Sequence, residues 1–177
     1  MNISYHWLRA LAPGLTEPAS VLAERLALLG APVDEIVELG ADLGDVVIAR
    51  VAEVRQHPNA DRLRLCTVDA GGPQPLQVVC GAPNVTAGRF YPFAPVGATL
   101  PGGMQIKKAK LRGEASEGML CSARELGLGR DHEGLMTLQG EWQPGTRFLG
   151  ALGLDDVRLV VDVTPNRAEL LSHLGVA

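Results

Sequence analysis

Aromatic side chains are scarce in this sequence, and their scarcity narrows the ligands that it can bind. The 177 residues include two Trp, two Tyr and three Phe, or 4% of the chain. A protein that binds single-stranded nucleic acid usually stacks successive bases on such rings. Phe90, Tyr91 and Phe93 do cluster, but the prolines at 92 and 95 indicate packing rather than a stacking surface. We therefore expect a folded RNA that is recognised by its shape and phosphates, or else a protein surface, as the partner.

Cysteine is also rare. Cys66, Cys80 and Cys121 are far apart, none of them forms a Cys-x-x-Cys pair, and no His lies at zinc-binding spacing. This pattern predicts reduced thiols in a protein core and no metal site. The sequence also lacks an apolar run long enough to cross a membrane, and its first residues do not form a signal peptide. We expect a cytoplasmic protein with no membrane partner.

Motifs for catalysis are absent too, since neither Gly-x-x-x-x-Gly-Lys-Ser/Thr nor Gly-x-Ser-x-Gly occurs. His57 and Asp61 could act as an acid–base pair. Alternatively, Pro58 and Asp61 shape a turn, and His57 is a hydrogen-bonding residue at the end of a strand. The run Asp-His-Glu at 131–133 could likewise bind a metal or form a polar turn. We expect no catalytic residue within this chain.

The distribution of charge is uneven. The formal net charge is −4, which argues against a highly basic protein that coats nucleic acid non-specifically. Residues 88–125, however, contain six cations and three anions, so this segment is +3 and the remainder is −7. A local basic surface on an acidic protein is typical of one defined anionic partner.

The basic segment itself is residues 106–112, IKKAKLR, which we predict as a strand. Because side chains alternate along a strand, Lys108, Lys110 and Arg112 would lie on one face. Three cations at two-residue spacing could follow a phosphate backbone. A solvated edge strand, whose lysines prevent pairing with other chains, is the alternative interpretation.

The pattern along the chain indicates a β-rich centre. Short apolar runs separated by Gly and Pro predict a small β-barrel or sandwich over residues 40–150. Pro92 and Pro95 would confine their strand to an edge or a bulge, because proline has no N–H to donate. A short helix is predicted over residues 122–128.

The two ends predict a second module. A helix is expected at 17–29 and a strand at 32–39, followed near the end by a strand at 157–163. Asn166 and Glu169 then form a capping box that would begin a helix. Residues 1–39 and 151–177 could pair as one split α+β module, into which the barrel is inserted. The predicted fold class is α+β.

Several longer stretches carry a specific resemblance. They are MNISYHWLRAL, LALLGAPVDEI, HPNADRLRLCTVDAG, VVCGAPNV, PGGMQIKKAKLRGEASEGMLCSARELGL, DHEGL and VDVTPNRAELLSHLGVA. In this order, over essentially the whole chain, the sequence resembles the N-terminal part of bacterial phenylalanine–tRNA ligase β subunits. The resemblance implies a tRNA-binding OB domain at 40–150 within the split module, and a natural chain that continues past Ala177.

The resemblance also implies how such a piece works. In that family the β subunit pairs with an α subunit as α₂β₂, the α subunit performs aminoacylation with ATP and magnesium, and editing lies later in β. This chain would then be a non-catalytic, cofactor-free portion of a ligase with tRNA as its partner. Its implied RNA-facing residues are Lys108, Lys110, Arg112, Ser116 and Met119. A structural or subunit-interaction module with little RNA contact, and a free-standing tRNA-binding protein, remain the alternatives.

Overall fold

The computed structural model describes all residues from 1 to 177. The strands, in chain order, are β1 (Asn2–Ser4), β2 (Val33–Glu38), β3 (Val47–Gln56), β4 (Arg64–Asp69), β5 (Leu76–Cys80), β6 (Phe90–Ala94), β7 (Thr99–Leu100), β8 (Met104–Gln105), β9 (Ala109–Leu111), β10 (Glu114–Ser116), β11 (Met119–Leu120) and β12 (Val157–Val161). The helices are α1 (Tyr5–Leu11), α2 (Ala19–Leu28), α3 (Phe148–Leu152) and α4 (His173–Val176), and short 3₁₀ segments cover Ala41–Leu43 and Ala168–Leu171. No helix has both the length and the apolar character needed to cross a membrane.

The chain forms two compact units. The terminal unit comprises Met1–Ala41 and Gly153–Ala177, and the barrel unit comprises Asp42–Leu152. In the barrel unit the strands pair antiparallel in the order β11-β6-β3-β4-β5. The segment between β10 and β11 returns to β5, because the backbone N–H of Glu117 donates to the carbonyl of Gln77 at 2.9 Å. The result is a nearly closed, OB-like five-stranded barrel, so the predicted α+β fold class with a small barrel is confirmed.

The core of the barrel unit forms two clusters of buried side chains that pack on both faces of its central strands. Ile48 and Val51 on β3, Val68 on β4, and Tyr91 and Phe93 on β6 are essentially inaccessible to solvent. Burying one such side chain contributes about 1.5–3 kcal/mol. β4 alternates between buried and partly exposed residues as the sequence predicted, whereas β6 is buried along its whole length because two core clusters pack on its opposite faces.

The expected edge position of the proline-containing strand is wrong, because β6 lies between β3 and β11. Pro92 is tolerated within the sheet because, on the side that faces the segment around Cys121, no hydrogen bond depends on its missing N–H. Its carbonyl accepts from the backbone N–H of Cys121 at 2.9 Å, and the carbonyl of Cys121 accepts from Met136 at 3.0 Å. Proline has no N–H to donate to the carbonyl of Cys121, and the backbone N–H of Met136 donates to that carbonyl instead.

The terminal unit is a three-stranded antiparallel sheet, β1-β12-β2, packed on its helices. Ile3, Leu8, Leu26, Leu159 and Leu170 form the centre of its core.

Two helix predictions are wrong. Residues 122–128 form turns, since the side chain of Glu125 accepts from the Ser122 N–H and hydroxyl and stabilises a tight bend. Near the end, Arg167 occupies the N-cap position before a 3₁₀ segment, so the predicted cap Asn166 begins no helix. Glu169 pairs with Arg167 instead of closing a capping box. Both errors share one physical reason, which is that local polar pairs can satisfy a turn as well as a helix.

Candidate nucleic-acid interface

The predicted basic strand folds as a tight hairpin, residues 108–117, which we call the cationic hairpin. β9 pairs with β10 so that Lys110 lies opposite Ala115 and Leu111 lies opposite Glu114. Two residues remain for the turn, and both have left-handed backbones, with φ 51° at Arg112 and 102° at Gly113. Positive φ at both central residues is typical of the type I′ turn, which matches the twist of a hairpin. Arg112 therefore lies at the tip, and its predicted place on the strand is wrong.

The three cations predicted to bind RNA differ in their surroundings. Lys108 precedes β9 and forms an ion pair with Glu117 across the hairpin. Such exposed pairs contribute about 0–1 kcal/mol, but the carboxylate still offsets the charge that Lys108 presents. Lys110 and Arg112 are exposed and belong to no ion pair. The free positive charge of the hairpin is thus concentrated at its tip.

Two residues from the loop after β3 hold the hairpin in place. The Nε2 of His57 lies 3.1 Å from the carbonyl oxygen of Leu111, and the Asn59 side-chain amide donates to the carbonyl of Arg112 at 3.2 Å. The backbone N–H of Asn59 donates to Nδ1 of His57 at 3.0 Å. Because Nδ1 accepts, the ring proton is on Nε2, which donates to Leu111. His57 is only 3% exposed, so both of its bonds are sheltered from water.

This geometry supports the structural interpretation of His57 over the catalytic one. Both ring nitrogens are used in positioning backbone groups, and the backbone carbonyl of Asp61 accepts from Gln56 at 2.9 Å. Sequence reasoning missed Asn59 entirely. The available signal was the His-Pro-Asn run at a strand end, where short polar side chains often bind nearby backbone.

Ser116 does not face solvent, contrary to its expected RNA-facing role. It is 4% exposed, and its hydroxyl accepts from the backbone N–H of Val79 at 3.1 Å while donating to the carbonyl of Gly118 at 3.1 Å. This side chain joins β5 to the end of the hairpin, where the barrel closes. Gln77 strengthens the same junction by donating to the carboxylate of Glu114 at 3.1 Å.

Gly118 follows at a position where only glycine fits. Its φ is 139°, and an added Cβ would lie 2.3 Å from the ring of Phe93. The backbone therefore passes directly over a buried aromatic side chain. Met119, the last predicted site residue, is half-buried on β11 and packs against the core.

Met119 also lines a groove of about 660 Å³ on the barrel unit. Its polar lining includes Arg124, Glu125, His132 and Glu133, so anions and cations are mixed. The backbone N–H of Glu133 donates to the carboxylate of Asp131 at 3.1 Å, which is the geometry of a polar turn. No three His, Cys, Asp or Glu side chains come together as a metal site anywhere in the chain.

The three cysteines are free and buried, and their thiols differ in pKa. Burial raises the pKa of Cys121 to about 12. Cys66 donates a hydrogen bond to Cys80, which raises the pKa of Cys66 and lowers that of Cys80. Cys80 also lines the groove, so it is the thiol with both a stabilised thiolate and a route to solvent.

The two units carry opposite formal charge. The terminal unit has nine carboxylates against four Lys and Arg, a formal charge of −5, whereas the barrel unit is +1. Phosphate contacts are therefore favoured on the barrel unit and disfavoured on the terminal unit.

Comparison with known proteins identifies the family. A family model described as a putative tRNA-binding domain matches residues 46–147, which is more than half of the chain and nearly the whole barrel unit. This chain belongs to that family of putative tRNA-binding domains.

Relatives that match over the whole chain are more specific than the family model. The chain is 48% identical over 177 residues to a phenylalanine–tRNA ligase beta subunit of Nitratidesulfovibrio vulgaris. It is 52% identical over 177 residues to the beta subunit of Anaeromyxobacter dehalogenans. Each match covers 100% of this chain, which spans 22% of the length of either relative. The methionyl-tRNA-synthetase-related protein of Pyrococcus horikoshii has a TM-score of 0.42 and 19% identity, covering 58% of this chain and 86% of that one, and this likeness supports no inference.

Proposed function

We propose that this chain is a tRNA-binding portion of a phenylalanine–tRNA ligase β subunit. The observation that carries the proposal is the family match over residues 46–147 together with about 50% identity to such subunits over the whole chain. The cationic hairpin supplies the physical basis. It presents two unpaired cations, Lys110 on β9 and Arg112 in the turn, and His57 and Asn59 hold that turn in a defined position.

The contact is electrostatic and weak. Lys110 and Arg112 each neutralise a phosphate of tRNA and release counterions, and Lys108 contributes less because Glu117 competes for it. The scarcity of exposed aromatic rings leaves phosphate and shape, not base stacking, as the basis of recognition. We therefore assign the module an auxiliary role in holding tRNA within a larger enzyme.

Catalysis belongs to other parts of that enzyme. ATP and Mg²⁺ serve phenylalanine attachment in the proposed parent, but the residues here do not fit either of them. The chain has no phosphate-cradling Gly-x-x-x-x-Gly-Lys-Ser/Thr sequence, and no three potential metal ligands cluster. We propose that an α subunit in an α₂β₂ assembly in the cytoplasm holds both, and that this portion is non-catalytic.

A salt titration tests the proposal. Binding of tRNA to the 177-residue chain is measured by filter binding at several salt concentrations, for the wild type and for Lys110→Ala with Arg112→Ala. The double variant is expected to lower the slope of log affinity against log salt by about two, since each phosphate contact contributes about one. The matched control removes two cations from the acidic terminal unit, Arg9→Ala with Arg25→Ala, and should leave the slope unchanged. An identical slope in all three proteins refutes the role of the hairpin.

A second candidate function is subunit interaction, and exposed apolar side chains on the terminal unit favour it. Leu28, Leu29, Leu171 and Leu174 are 88%, 71%, 62% and 73% exposed. Large apolar side chains at such exposure often mark contacts with other proteins. If the chain binds no tRNA at low salt but co-elutes with a purified α subunit in size-exclusion chromatography, this function replaces the first. A free-standing tRNA-binding protein, in contrast, would bind tRNA without co-eluting.

A further inference from the structure

The loop between β3 and β4, residues 57–63, lies against the turn of the cationic hairpin. From this loop the side chains of His57 and Asn59 donate to backbone carbonyls of the hairpin. The two segments also approach closely at Gly113, where an added Cβ would lie 3.6 Å from the side-chain nitrogen of Asn59. The loop and the hairpin are remote in sequence but form one surface, so the charges of both act on any ligand that the hairpin binds.

The β3–β4 loop has a fixed shape of its own. At its base the backbone N–H of His57 donates to the carbonyl of Leu63 at 3.1 Å. The side-chain amide of Gln56 donates to the carbonyl of Ala60 at 3.2 Å and to that of Asp61 at 2.9 Å. Because these bonds already order the loop, its side chains are presented at defined places, and little further conformational entropy is lost when a ligand binds.

Two arginines at the end of this loop carry free charge. Arg62 lies in the turn, and Arg64 begins β4 opposite Gln56 of β3. Both are exposed, and neither belongs to an ion pair. Asp61 is the only carboxylate among residues 57–64, so two cations against one anion give this segment a charge of +1. The loop therefore adds positive charge to the side of the barrel unit where the hairpin already presents its own.

On the basis of the tRNA-binding function proposed above, we propose that Arg62 and Arg64 bind phosphates of the same tRNA as the free cations of the hairpin. The tRNA-binding surface then spans both segments. Guanidinium groups suit this role, because their planar donors can bind two phosphate oxygens at once. Four free cations neutralise about four phosphates, against about two for the hairpin alone. Since these charges are spread over two segments and do not converge on one pocket, they fit a phosphodiester backbone better than a single small anion.

A salt titration of four proteins tests this proposal. Binding of tRNA to the 177-residue chain is measured by filter binding for the wild type, for Arg62→Ala with Arg64→Ala, for Lys110→Ala with Arg112→Ala, and for all four substitutions together. Each double variant should lower the slope of log affinity against log salt by about two, and the quadruple variant should lower it by about four. Far-UV circular dichroism establishes that each variant is folded.

The matched control removes two exposed arginines near the other end of β3. Arg50 lies on β3, and Arg147 forms a bridge with Val47 at the start of that strand. Neither arginine belongs to an ion pair. Val47 and Arg50 precede Gln56, where the loop begins, by nine and six residues, or about 30 and 20 Å along a strand. Arg50→Ala with Arg147→Ala should therefore leave the slope unchanged.

A conservative variant separates the charge of the two arginines from their packing. Arg62→Lys with Arg64→Lys keeps both charges but loses the planar donors. Its slope should equal that of the wild type, while its affinity falls by about twofold to tenfold. If the arginines only stabilise the loop, the alanine variant lowers the affinity without changing the slope, and that result overturns the proposal.

The remaining outcomes distinguish this proposal from the function on which it rests. A slope that falls in the hairpin variant but not in the loop variant overturns the role of Arg62 and Arg64 and leaves the proposed tRNA-binding function standing. A wild-type chain that binds no tRNA at low salt overturns both. An equal fall in slope in the control variant also overturns the role of the loop, because any exposed arginine of the barrel unit would then serve as well.

Discussion

Replacing His57 tests whether the position of the cationic hairpin contributes to tRNA binding independently of its charge. His57→Ala removes the donor to the Leu111 carbonyl and the acceptor for the Asn59 N–H, which are bonds of 3.1 and 3.0 Å. A buried group left without its partner costs about 1–3 kcal/mol. The hairpin is exposed and water can reach it once it moves, so we expect a total loss of about 2 kcal/mol in unfolding free energy. Urea unfolding, followed by the fluorescence of Trp142 in a Trp7→Phe background so that only the barrel unit reports, measures this loss.

The same variant should weaken tRNA binding by about tenfold, because a mobile hairpin loses conformational entropy when it binds. The slope of log affinity against log salt should stay at its wild-type value, since no charge changes. This pattern is the opposite of the one expected for Lys110→Ala with Arg112→Ala. The matched control is His132→Ala, which removes an exposed histidine from the same unit.

Two conservative variants separate the two bonds of the ring. His57→Gln places an amide donor toward Leu111, and His57→Asn places an oxygen acceptor near the Asn59 N–H. Each is expected to recover part of the lost affinity. If His57→Ala changes the slope by one or more, or leaves affinity unchanged despite the lost stability, then the position of the hairpin is not what His57 contributes to binding.

Three further predictions concern the barrel unit. Glu117→Gln should tighten tRNA binding by about twofold to fivefold, because it releases Lys108 from its ion pair. The slope of log affinity against log salt should steepen by up to about one. Weaker binding in the same filter assay would contradict this prediction. Gly118→Ala should cost about 3 kcal/mol in urea unfolding, since its Cβ would lie 2.3 Å from an aromatic ring at a strained φ, whereas Gly14→Ala, with nothing within 4 Å, should be neutral. Iodoacetamide should alkylate Cys80 before the other two cysteines, as read by mass spectrometry, because its thiolate is stabilised and it lines the groove. If another cysteine is labelled first, access and not pKa controls the rate.

The strands and core were predictable because their signal is local. The apolar run at 46–54 and the alternation at 64–69 predicted β3 and β4, and both strands form. β4 buries every second residue, whereas β3 also buries the adjacent pair Ile48 and Ala49. A side chain that alternates between core and solvent imposes that alternation on the sequence itself. The proline at 92 misled the prediction, because its compatible hydrogen bonds come from residues 121 and 136, which no local pattern reveals.

The candidate site was predictable only in part. Local charge identified the basic segment, but the two-residue turn moved Arg112 from the strand face to the tip, and Glu117 reduced the free charge of Lys108. Ser116 was predicted to face RNA because of the family resemblance, but its side chain is buried where β5 meets the hairpin. The hydrogen-bonding role of His57 was one of two predicted alternatives, but its partner was not predicted, because His57 and Leu111 are 54 positions apart in the chain.

The amino-acid sequence alone determined the family, the α+β class and the location of the positive charge, since composition, periodicity and motif order are written along the chain. The tertiary structure alone decided which cations are free, which polar side chains are buried, and that the loop at 57–63 packs against the cationic hairpin. These properties depend on distances between residues remote in sequence, and such distances exist only after the chain has folded.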